Sequence, residues 1–166
     1  MEIETRDYGA VEVKDASIIQ FDEGIIGFEP YHRYVLLDDG NEPSPFRCLQ
    51  SVDESGLAFI LLDPFSVKPD YEINIDDEAA VKLAFDGDEE VVILAIVVVP
   101  EDIKRMSFNL KAPIIINAHT HKGLQYIVDR SDYGVRHYVF DEIERAKGMG
   151  TSAESNIGVR EGITAV

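Results

Sequence analysis

The chain has 166 residues, 45% of them hydrophobic, and its 32 acidic against 15 basic side chains leave a formal charge of −17. A field of that sign repels phosphate backbones, which carry one negative charge per about 1.7 Å of duplex, and so argues against direct binding of DNA or RNA. The apolar fraction supports a real core and excludes global disorder, while the longest apolar run, VVILAIVVV at 91–99, is far shorter than the ~20 residues of a membrane helix.

The charge belongs to the body of the chain. Residues 146–166 hold two basic groups (Lys147, Arg160) and two acidic ones (Glu154, Glu161), so the excess lies upstream. A surface this acidic serves solubility or recognises something basic. One domain is expected at this length. The opening MEIETRDYG has no apolar stretch, so no signal peptide is expected. Cys48 is the single cysteine and has no partner for an intramolecular disulfide. The expected compartment is therefore a reducing cytoplasm, with Cys48 a small buried hydrophobe rather than a nucleophile.

In chain order the sequence reads as short strands between turns. Ile3 and Thr5, then Val11 and Val13, alternate with polar residues around Tyr8-Gly9 as a hairpin does. SIIQF (17–21) leads into the loop DEGIIGFEP, where Gly24 and Gly27 suit positive φ. YVLL (34–37) is followed by turn chemistry at 38–45. FRCLQSV (46–52) and LAFILL (57–62) flank a tight loop, the pattern of paired antiparallel strands. YEINI (71–75) alternates as a strand, and Asp76 is placed to cap a short helix with Ala80, Leu83 and Ala84 on one face. VVILAIVVV lacks alternation, so the spacing predicts a strand covered on both faces. PEDIKRM predicts one helical turn after Pro100, PIIIN (113–117) pairs with LQYIV (124–128), and DEIERAK predicts a last helix. Residues 1–145 form the expected domain, and 146–166, rich in glycine and small residues, the expected flexible tail. About ten short strands with one to three short helices predict a mainly β fold, a compact antiparallel β-barrel-like single domain.

Motifs for chemistry are few. His119 and His121 stand two apart, with His137 a conceivable third metal ligand, but both sit in a predicted hairpin loop beside Lys122. A catalytic zinc normally needs three protein ligands, so the expected reading is solvated turn histidines and no bound metal or cofactor. Asp86, Asp88 and Glu90 match the first ligand spacings of a calcium loop, yet the positions that require glycine and a bidentate glutamate are Val91 and Val97. There is no nucleophile elbow, P-loop or dinucleotide fingerprint, and no catalytic residue is assigned. Phe28, Phe46, Phe65 and Phe108 fall in or beside predicted loops, where they either plug barrel ends or dock a partner.

Five strings in order, FDEGIIGFE (21–29), LQSVDESGLAFILLDPF (49–65), PDYEINI (69–75), MSFNLKAPIIIN (106–117) and KGLQYIV (122–128), resemble the FliW family of flagellar assembly factors over about residues 1–140. Two departures stand out: Asp22 and Ile26 replace prolines usual in the first string, and Ser107 replaces a threonine. The resemblance implies a β-barrel-like fold without enzymatic activity. It also implies two protein partners: flagellin, through its C-terminal helical region, and the CsrA dimer, an RNA-binding repressor of flagellin translation that the family antagonises by partner switching. A monomer is expected when free. The positions that match the family strings and are least explained by core packing are Gln50, Asp53, Asp63, Pro64, Phe65, Asp70, Glu72 and Asn109, with Asp63-Pro64 and Asn109 equally readable as turn formers. The alternatives are a flagellin chaperone with no translational role and a metal-dependent enzyme built on His119, His121 and a carboxylate.

Overall fold

The computed structural model describes residues 1–38, 44–87 and 90–148. The predicted N-terminal hairpin is present as β1 (Glu2–Glu4) and β2 (Ala10–Glu12), in register Ile3↔Val11, with Gly9 at φ 67° in its loop. Next come β3 (Ile19–Gln20), β4 (Arg33–Leu37), β5 (Phe46–Ser51) and β6 (Ala58–Leu62), and from β4 onward each pairs antiparallel with the one before. Helices α1 (Pro64–Val67) and α2 (Asp77–Lys82) separate β6 from the long β7 (Val91–Val98). The chain then forms β8 (Ser107–Phe108), β9 (Ile114–Asn117), β10 (Lys122–Gln125), β11 (His137–Tyr138) and α3 (Val139–Gly148).

Seven strands close into a barrel. Their order is β7-β6-β5-β4-β3-β10-β9, and β9 pairs back onto β7 from Val91↔Asn117 to Leu94↔Ile114. The expected antiparallel arrangement holds at every junction but one. β10 meets β3 in parallel through Lys122↔Gln20, because the β9–β10 hairpin is inserted between β7 and β3 to complete the ring. The family likeness therefore carries over to topology as a closed, mainly antiparallel barrel with short helices outside it.

Alternation along each strand fills the barrel and feeds three outer cores. Tyr34, Leu49, Leu61, Val92, Leu94, Ile114 and Ile116 point inward, joined by Ile19, Phe21 and Ile25. Outward residues are covered in turn: Val35 by Ile3 and Val13 of the hairpin segment, and Ile115 and Leu124 by Ala79 and Leu83 at α2. Ala95 and Val97 pack among Val67, Tyr71, Leu110, Tyr133 and Val139. That double cover is why the run does not alternate over 91–97, whereas Val98 and Val99, 62% and 46% exposed, end it uncovered.

Inside the ring, Gly123 makes room for the Phe21 side chain. It pairs with Ile116 and faces inward, and a Cβ there would meet the Phe21 ring at 2.5 Å. Phe21 is fully buried, packed edge-on to Tyr34 at 5.3 Å between ring centroids, so its ring has no room to yield. Among the described residues the Tyr34 hydroxyl has no hydrogen-bond partner, and burial pushes its phenol up to about 12.

Several local readings are revised. YEINI keeps its alternating burial but is not a strand: Tyr71 Oη donates to Leu110 O at 2.8 Å and Glu72 N donates to Tyr133 Oη at 2.9 Å, so side chains replace a ladder. α2 is capped by Asp76, whose carboxylate accepts from Ala79 N at 2.8 Å, but it buries Ala79 and Leu83 rather than Ala80 and Ala84. Ala84 lies past the helix end at φ 52°. The β8–β11 pair was not predicted, since each strand is only two residues long. It takes Phe108 out of the expected loop set and into the core at 0% exposure. α3 runs through Gly148 with Ala146 buried, so 146–148 are helical, whereas the rest of the expected tail, 149–166, lies outside the described residues.

Overpacking a full core costs about 1–3 kcal/mol, so Gly123→Ala is expected to lower unfolding free energy by that amount. Combining it with Phe21→Leu should cost at least ~1 kcal/mol less than the two single changes added together, since the two residues share one volume. Urea unfolding of the four proteins of this cycle measures both quantities.

Candidate binding surfaces

The eight residues singled out from sequence divide into two groups. Gln50 is fully buried on the outer side of β5. Its amide oxygen accepts from Arg6 N at 2.9 Å, and its amide nitrogen donates to Ser51 O (3.1 Å), Ser55 O (3.1 Å) and Leu57 O (3.2 Å). It ties the first hairpin to the β5–β6 turn. Asp63 is buried and caps α1, accepting from Phe65 N at 3.0 Å, with Pro64 at the first helical position. Asn109 Oδ1 accepts from Lys111 N and Ala112 N, both at 3.0 Å. These four residues fix backbone geometry.

Asp53, Asp70, Glu72 and, half-buried, Phe65 face outward. Asp53 pairs with Arg33 across the β4–β5 edge. Asp70 lies 3.4 Å from the buried Lys68 ammonium, and Glu72 lies 3.3 Å from Arg130. Arg130 also pairs with Asp132 at 2.7 Å, which holds that carboxyl below its ordinary range, and stacks over Tyr133 at 4.7 Å. Phe65 packs on Tyr71 with ring centroids 5.6 Å apart. Among the described residues no hydrogen bond or ion pair joins Asp53 to the Asp70–Glu72 group.

Two grooves offer contact area that sequence reasoning did not locate. One, of about 330 Å³, is lined chiefly by Phe46, Cys48, Ile60, Val99, Ile103 and Met106, with Asp7 and Asp38 at its rim. Burial raises the Cys48 thiol, so this cysteine is an apolar wall and not a nucleophile. The other, of about 350 Å³, lies between the Gly24–Gly27 loop and α2, with Ile26, Leu124, Tyr126 and Ile127 among Glu23, Asp76, Glu78 and Lys82, the last paired with Glu23 at 2.7 Å and Glu78 at 3.3 Å. Ile26 and Ile127 are 61% and 53% exposed.

The loop that carries Ile26 is stiff. Gly24 sits at φ +70°, and a Cβ there would meet the Glu29 backbone at 2.7 Å. Ile26 N donates to Gln125 Oε1 at 2.9 Å, tying the loop tip to β10. Gly27 N donates to Glu29 Oε2 at 3.1 Å, and such backbone donors lower the Glu29 carboxyl. Phe28, 39% exposed, packs edge-on to Phe59 at 5.3 Å. The glycine pair was readable as a signal. That it serves to display an apolar side chain was not, because Ile26 alone resembles core.

His121 adopts φ 58° in the β9–β10 turn, where its N donates to Asn117 O at 2.9 Å, so strand alternation does not bring it beside His119. His137 Nδ1 lies 2.9 Å from Glu142 Oε2, and His137 Nε2 accepts from Gly134 N at 2.9 Å. Among the described residues no group of three or more His, Cys, Asp or Glu is placed to hold a metal.

Gln50→Ala is expected to destabilise the fold by about 2–3 kcal/mol, since it strands buried backbone groups. Asp53→Asn, at a half-exposed pair, should cost less than ~1 kcal/mol. Thermal unfolding of the two variants gives this contrast, and equal effects would contradict the division into framework and surface residues.

Similarity to known proteins agrees with this geometry. The family model described as FliW protein matches residues 2–139. A flagellar assembly factor FliW of Ruminiclostridium cellulolyticum is 44% identical, covering 87% of this chain and 98% of its own. One from Caldicellulosiruptor bescii is 43% identical, covering 85% and 91%. A crystal structure of the flagellar assembly factor FliW superposes with a TM-score of 0.78 at 36% identity, covering 84% of this chain and 97% of that one. The relatives are named as assembly factors. No described helix is long and apolar enough to cross a membrane. The barrel, its length and these matches together place the chain in the FliW family of flagellar assembly factors.

Proposed function

We propose that this chain is a cytoplasmic, monomeric protein-binding regulator that exchanges two partners. It holds flagellin through flagellin's C-terminal helical region, and when flagellin has been exported it binds the CsrA dimer and relieves repression of flagellin mRNA translation. The observation that supports this reading most is the groove beside α2. It combines exposed Ile26 and Ile127 with Glu23, Asp76 and Glu78 around one cation, Lys82, which pairs with Glu23 and Glu78, so apolar contact and a net excess of negative charge stand on one surface. A basic partner gains from both, and interfaces are dominated by a few such apolar anchors.

Antagonism of an RNA-binding partner then follows from charge. Two unit charges 4 Å apart in water interact by about 1 kcal/mol, and by half that at about 8 Å. Several carboxylates docked near several phosphates sum to roughly 1–3 kcal/mol, which is about five- to 150-fold in affinity. The chain would thus weaken RNA binding without touching RNA.

Size-exclusion chromatography of the purified proteins tests the exchange. The complex with CsrA should form alone and lose CsrA when flagellin is added. Binding to flagellin with none to CsrA would leave the chaperone role only. Ile26→Asp should weaken partner binding by about tenfold or more while leaving the unfolding temperature unchanged, because Ile26 is exposed.

A further inference from the structure

A third pocket carries the opposite charge. It measures about 210 Å³ and is lined by Val98, Pro100, Arg105, Ser107, Arg136 and Tyr138, none of them acidic. In a chain with 32 acidic residues against 15 basic ones, two arginines in a concavity without a carboxylate are conspicuous. The register explains how they meet. β7 pairs with β8 through Val98↔Ser107, and β8 pairs with β11 through Ser107↔Tyr138, so Val98, Ser107 and Tyr138 form one cross-strand row. The adjacent row, Val97, Phe108 and His137, faces the core side.

The cations are positioned but not neutralised there. Arg105 lies over the Tyr138 ring at 5.6 Å, with a nitrogen 3.4 Å from its hydroxyl. The Arg136 guanidinium makes no hydrogen bond or ion pair among the described residues, and neither does the Ser107 hydroxyl. Val98, 62% exposed, and Pro100 supply an apolar wall.

We propose that this pocket is an anion site that takes a single carboxylate presented by a protein segment, with the methylene carbons beside that carboxylate resting on Val98 and Pro100. A guanidinium fork matches a carboxylate in the plane and with two hydrogen bonds, and Ser107 adds a neutral donor. The net field selects a single charge. Beyond a Debye length of about 8 Å the acidity of the chain is screened, whereas a polyanion would bring several charges at once against a surface whose net charge is negative. The site is independent of the groove beside α2 and does not rest on the flagellar partners.

The full chain, labelled with nitrogen-15, is titrated with three acetylated hexapeptides and with inorganic phosphate while the arginine side-chain signals are followed. One peptide carries an internal glutamate and an amidated end, one a glutamine and a free C-terminus, and one a glutamine and an amidated end. Saturable shifts of Arg105 and Arg136 with the first or the second support the site and identify whether a side chain or a chain end supplies the carboxylate. Arg136→Gln, a surface change that should leave the fold intact, is expected to weaken that binding by roughly tenfold. Equal binding of the neutral peptide, no saturable shift with either carboxylate, tighter binding of phosphate, or an unaffected Arg136→Gln variant would each overturn the proposal.

Discussion

Closure of the barrel between β7 and β9 is the constraint on which the rest of the molecule depends. Pairing from Val91↔Asn117 to Leu94↔Ile114 removes the two free sheet edges, which would otherwise offer unpaired backbone for aggregation. Inside the ring, Gly123 on β10 makes room for the Phe21 side chain. The first half of β7 is used for closure, and its last residues leave the ring to pair with β8. That departure creates the small outer sheet on which the arginine pocket stands, so one strand both seals the core and carries a surface feature.

The polar interior follows the same logic. Buried Asn117 donates to Leu83 O at 3.1 Å and accepts from His119 N at 2.9 Å, joining α2 to the β9–β10 turn. Gln50 does the equivalent work for the first hairpin and the β5–β6 turn. With turns and helices anchored by amides, which carry no charge, carboxylates are left mostly outside. Asp63, which caps α1, and Glu142 are the buried exceptions among the described residues, and Glu142 is met by Arg145 at 3.1 Å and by His137. The acidity is thus a property of the surface, where it is available to a partner.

Much of the fold was legible in the sequence. Continuous apolar character marked β7 as doubly covered, Asp76 marked the start of α2, and the turn signals placed the hairpins. The two-residue strands β8 and β11 were not legible, since two residues show no period, and their pairing is set by tertiary contact. α1 was missed although Asp63-Pro64 is a cap followed by a proline suited to the first helical turn. The candidate residues fared less evenly. Family-like strings pointed to Gln50, Asp63, Pro64 and Asn109, which turn out to fix the backbone. Ile26 and Ile127 escaped notice because exposure is decided by what packs nearby, and a single isoleucine in sequence looks like core.

The central claim is that this domain acts on an RNA-binding partner through charge. The most direct test is the ratio of RNA affinities of CsrA without and with this protein bound, followed from low to high salt at concentrations where the protein complex stays intact. Screening shortens the Debye length from about 10 Å at 0.1 M to about 3 Å at 1 M, so the account predicts a ratio that falls steadily toward one as salt rises. A ratio that stays constant across that range would contradict it and point to steric or conformational antagonism instead.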